Sequence, residues 1–314
     1  MWKWMSDPQV PDWARFFGPS AYQAFLNTVA NDLGRRGDMV EIDDGVARVT
    51  IAEDRHQFGL QNLAQVCNQS TAEAWPDMVR QHFDNVIRST AATDLEVIGR
   101  DFTQVESIVK VRLYPREAVV DASGSGPIHR KVGEQLVAAL VYDLPEAVAT
   151  VPSEAPSRWP IDIDAAFELG LANVLAQDEV ECERVGLDSG GEFWAMVGET
   201  FFVTSRLLVL EQYLESHTPY GALVSVPNRH TMLFTPIVDT SVLPSLNALL
   251  VLTQRRFMEG PGSLSPLLYW WRDGDLLALP ADVQDGEVRF YPPEDFVKGC
   301  LEPIGRRTGN VGPN

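Results

Sequence analysis

Along this chain, apolar residues recur every three or four positions in some stretches and every second position in others. These are the periods of amphipathic helices and half-buried strands. A helix is predicted from Ser20, placed as its N-cap, to Gly34. Val40–Ile42 and Val46–Ile51 then alternate around Asp43-Asp44-Gly45, whose Asp-Gly pair suits a tight hairpin. His56–Cys67 and Trp75–Ile87 carry apolar stripes at helical spacing. Ile108–Tyr114 alternates up to Pro115, and Leu136–Tyr142 is a continuous apolar run expected to form a more deeply buried strand.

Beyond residue 160 the pattern predicts a helix over Asp162–Gln177, strands near 181–187 and 193–203, and a helix or strand over 206–215. Paired strands at 221–227 and 230–237 follow, then a helix over Ser241–Met258 and a hairpin joining Leu268–Trp271 to Leu276–Leu279 through Arg272-Asp273-Gly274-Asp275. This mixture predicts an α+β fold of two lobes, each a mainly antiparallel sheet packed by amphipathic helices. The proline-rich stretch Val151–Ser157 is the expected linker. The expected division is a helical extension over 1–38, a first lobe over 39–150, a second over 151–300, and a disordered tail over 301–314. Phe58–Leu63 and Leu169–Val174 echo one another, each with a Gly-Leu-x-Asn core expected on a helix.

Composition narrows the function. With 314 residues, 45% of them hydrophobic, the chain has enough apolar material for more than one compact core. Its net charge of −19 disfavours nucleic acid and anionic lipid, both of which need a surplus of Lys and Arg on one face. The same charge would steer a protein partner with a basic surface. No apolar run reaches the length needed to cross a bilayer, and Met1–Pro8 does not read as a secretory leader, so a cytoplasmic location is expected. Cys67, Cys182 and Cys300 are expected to be buried thiols rather than disulfides or zinc ligands.

Candidate chemistry is sparse. His56, His82, His129, His217 and His230 are scattered without metal-ligand spacing, so neither a metal nor a cofactor is expected. Gly186–Gly191 reads as a turn rather than a nucleophile elbow, and no phosphate loop is present. The segment richest in functional groups is the turn Pro227-Asn228-Arg229-His230. If it folds beside the end of the long helix, Arg229, Arg255 and Arg256 could together hold a carboxylate or phosphate, with Asn228 and His230 beside them. Tyr269, Trp270 and Trp271 are candidate interface anchors, for a partner or for a second copy.

Val111–Arg116, Asn173, Ala222–Arg229 and Leu233-Phe234 resemble the YtpQ-like family of uncharacterised bacterial proteins over roughly residues 40–285. The resemblance implies a bacterial, cytoplasmic α+β protein and carries no residue roles. Two functions are therefore expected. The first is a non-catalytic interaction protein of adaptor, chaperone-like or immunity type. The alternative is an enzyme or small-ligand binder with an anionic ligand between the lobes.

Overall fold

The computed structural model describes residues 10–92, 98–121, 123–145, 147–177, 179–214, 218–284 and 287–309. Met1–Pro8, His217 and the last five residues of the tail lie outside the described residues. The fold is α+β, and its sheets are antiparallel throughout the described pairings. By contacts the chain forms two compact units, residues 1–93 with 258–262, and residues 94–257 with 263–314. The boundary expected near residue 155 thus falls inside the second unit. Val151, Ala155 and Trp159 of the supposed linker are buried in that unit's main core.

In the first unit, helix α1 (Pro19–Leu33) is followed by strands β1 (Asp38–Asp43), β2 (Val46–Ile51) and β3 (Asp54–Gly59). Helices α2 (Gln61–Asn68) and α3 (Trp75–Ala92) complete it. Within the expected extension over 1–38, the described residues 10–38 are not separate, because Phe25, Val29 and Leu33 of α1 share one core with Trp75, Val79 and Phe83 of α3. The predicted β1–β2 hairpin forms, with Asp44 and Gly45 both at positive φ as a primed turn requires. The predicted helix over His56–Cys67 is half wrong. Its first residues form β3, paired to β2 through a turn at Ala52 and Glu53. Those two residues sit at φ 48° and 74° without being glycine, so the turn leaves no sequence signal.

Among the described residues, the second unit holds three sheets. β4 (Val109–Pro115), β5 (His129–Lys131), β6 (Leu136–Leu144) and β7 (Ala147–Thr150) form a four-stranded one. Helix α4 (Ile163–Gln177) packs on β4. Asp162 caps this helix, its Oδ1 accepting the Ala165 N–H at 2.8 Å. The six-stranded sheet runs β13-β12-β10-β11-β9-β8. Its strands are β8 (Glu181–Gly186), β9 (Glu192–Val197), β10 (Ala222–Asn228), β11 (Thr231–Pro236), β12 (Leu268–Arg272) and β13 (Asp275–Leu279). A short hairpin, β14 (Ala281–Gln284) with β15 (Glu287–Phe290), follows.

Both faces of the six-stranded sheet are covered. Val224, Val226, Phe234, Tyr269 and Trp271 share a core with Val111, Leu113 and Leu140 of the smaller sheet. Leu223, Leu233, Leu268 and Trp270 meet Val242, Leu246 and Leu249 of helix α5 (Val242–Glu259) on the other side. The segment 206–215, expected as a helix or a strand, lies largely within a 3-10 helix over Val203–Gln212. Part of the supposed disordered tail is helix α6 (Glu302–Gly309), and Phe296, Cys300 and Ile304 at four-residue spacing enter the core. Cys182 departs from the expected burial: it lies exposed on β8, while Cys67 and Cys300 are buried free thiols.

Candidate cation cluster on the second unit

Strand alternation places Lys110, Arg112 and Tyr114 on one face of β4 while Val109, Val111 and Leu113 enter the core. That polar face is only partly open to water, with Lys110 buried and Arg112 and Tyr114 half-buried. The loop after β9 brings the adjacent rings of Phe201 and Phe202 over it. The Lys110 ammonium lies 4.7 Å from the Phe202 centroid and the Arg112 guanidinium 5.7 Å from that of Phe201. Arg112 also stacks on Tyr114 at 4.7 Å.

The β10–β11 turn supplies the rest. Asn228 is buried, and both ends of its amide are used within the fold. Its Oδ1 accepts the His230 N–H at 3.0 Å, and its Nδ2 donates to the Arg256 carbonyl at 3.1 Å. Arg229 lies 4.1 Å from the Phe201 centroid, on the ring that Arg112 also approaches. Its Nε–H donates to His230 Nε2 at 2.9 Å. His230 Nε2 is therefore an acceptor, so its proton sits on Nδ1, 3.1 Å from the Gly198 carbonyl.

The electrostatics of the two arginines differ from those of their neighbour. Lys110 is buried and paired with Asp143 at 2.8 Å. Arg112 and Arg229 have no carboxylate partner among the described residues, and Arg112 Nε is buried without a hydrogen-bond acceptor. Burial, and after it the charge of Arg112, holds the Arg229 guanidinium down to about 10. Burial and then the Arg229 charge likewise keep His230 below the usual histidine value, against the opposing effect of its hydrogen bonds with the Gly198 and Thr200 backbone.

Of the residues singled out in the sequence, the structure therefore brings Arg229 and His230 together and gives Asn228 a structural part. Arg256 contributes its backbone carbonyl to the turn, and the guanidinium groups of Arg255 and Arg256 are on exposed residues of α5. Tyr269, Trp270 and Trp271 are not surface anchors, being only 1%, 7% and 9% exposed. Their strand lies between β13 and β10, and successive side chains enter two covered faces. Arg112, Tyr114 and Phe201 went unread as site residues. The alternation of β4 was visible, but nothing local announced that two aromatic rings would cover its polar face.

Comparison with protein-family models, curated proteins and solved structures finds no match to this chain. Among the described residues no helix is long and apolar enough to cross a membrane, and no cluster of His, Cys, Asp and Glu could hold a metal ion.

Proposed function

We propose that this protein binds an anionic small ligand, and that the Arg112, Phe201, Arg229 and His230 cluster of the second unit is the binding site. The observation that supports it is a pair of half-buried guanidinium groups packed on one ring without a carboxylate partner among the described residues. A desolvated, unneutralised cation is costly. Keeping two together, in a chain with 44 acidic residues available to neutralise them, makes sense where the counter-charge arrives from outside. The interaction-protein reading loses its proposed aromatic anchors, which are inside the sheet.

Arg229→Met separates a ligand-binding from a purely structural arginine. A structural arginine should destabilise the free protein when removed. A binding arginine should leave it at least as stable, because a buried uncompensated charge is replaced by an apolar stem of similar length. The expected result is an unliganded Tm equal to or above that of the parent, together with loss of the Tm rise that millimolar phosphate or sulfate produces over sodium chloride of equal ionic strength. A Tm rise of the same size in Arg229→Met would remove this cluster as the site.

A further inference from the structure

We infer that the site selects a compact dianion, the charge state of a phosphomonoester or a short dicarboxylate, over any monoanion. The inference rests on the anion-binding reading above and deepens it by a count of charges and hydrogen-bonding groups. Lys110, the third cation on this face of β4, is already neutralised by Asp143 and so leaves the count. His230 leaves it as well. Its Nε2 is occupied by the Arg229 Nε–H and its Nδ1 faces the Gly198 carbonyl, so the ring adds neither charge nor a free donor. What remains is two guanidinium groups, at 4.1 Å and 5.7 Å from the centre of the same ring and close enough that the Arg112 charge acts on Arg229.

A monoanion would leave one of these cations uncompensated on a half-buried surface. A dianion matches both local charges, and its oxygens suit the fixed donor forks of two arginines. His230 is committed at both nitrogens, so its ring is not poised to move a proton.

Calorimetric titration of the full chain at pH 8 and fixed ionic strength tests this with five probes: methyl phosphate, sulfate and malonate as dianions, dimethyl phosphate and acetate as monoanions. The dianions are expected to bind at least about tenfold more tightly than the monoanions, and the order of methyl phosphate and malonate identifies which source fits. Arg112→Gln and Arg229→Gln, each removing one charge, are expected to compress that preference to within about twofold, with circular dichroism confirming that both are folded. Equal binding of monoanions and dianions by the parent protein would overturn the dianion assignment and leave an anion site standing. Binding of none of the five would overturn the site itself.

Discussion

Two tyrosines in the second unit show how strongly a single buried hydroxyl depends on its partner. Tyr142 and Tyr269 are both almost wholly buried, and burial pushes both phenols up to about 12. The Tyr269 hydroxyl is 2.7 Å from Ser265 Oγ, whereas the Tyr142 hydroxyl has no hydrogen-bond partner among the described residues. The same substitution should therefore have opposite signs. Tyr142→Phe removes an unsatisfied polar atom and should be neutral or stabilising by up to about 1 kcal/mol. Tyr269→Phe strips a partner from a buried serine and should cost about 1–2 kcal/mol. Urea denaturation of the two variants checks both, and a loss at Tyr142 as large as that at Tyr269 would contradict the orphan assignment. Neither outcome can be read from the sequence, where both residues are simply tyrosines in apolar runs. The same limit hid the fate of Trp270 and Trp271, because burial on two opposite faces depends on what covers each.

At the scale of elements, helix α4 and strand β4 form a tightly matched pair. A Cβ on Gly170 would lie 3.0 Å from the Lys110 carbonyl carbon and from Val111 Cγ2, so the helix approaches the strand closely enough to need glycine there. One turn later Asn173 Nδ2 donates to the carbonyls of Glu106 and Val109, each at 2.8 Å. The sequence does mark these two positions, since glycine and asparagine are poor choices within a helix unless tertiary contacts compensate. The echo with Phe58–Leu63 does not extend to structure. Gly59 ends a strand with open space beside it, and Asn62 on α2 accepts the Gly262 N–H at 2.8 Å. Gly170→Ala would gain about 1 kcal/mol of helix propensity in isolation. Here the neighbouring backbone is fixed by the β4–β6 ladder, and a net loss of about 1–2 kcal/mol is expected. Asn173→Ala should cost about 1–3 kcal/mol by leaving carbonyls unpaired. A Gly170→Ala variant more stable than the parent in thermal unfolding would show that β4 yields.

At the scale of the whole molecule, the element types were largely legible and the grouping was not. Periodicity identifies α1, α3, α4, α5 and the hairpins because each buries one face at a regular interval. Which elements share a core depends on non-local packing, so proline content at 151–157 gave a false boundary while the division at residues 93 and 94 has no comparable composition signal. The first unit has its own core, running from Val10 to Phe83 within a continuous stretch of chain. Its only other segment is 258–262, which contributes hydrogen bonds rather than core side chains. The Glu259 carbonyl accepts from Gln69 Nε2 at 2.7 Å, and Gly262 donates to Asn62. A fragment of residues 1–93 should accordingly fold alone, with a cooperative urea transition and a near-ultraviolet signal from Trp13 and Trp75. Loss of the 258–262 segment should lower its stability by about 1–3 kcal/mol, in proportion to the hydrogen bonds removed. Because Asn62→Ala removes the acceptor for Gly262, it should destabilise this unit in the full chain and leave the isolated fragment nearly unchanged. A fragment that unfolds without cooperativity would mean that the core from Val10 to Phe83 is insufficient by itself.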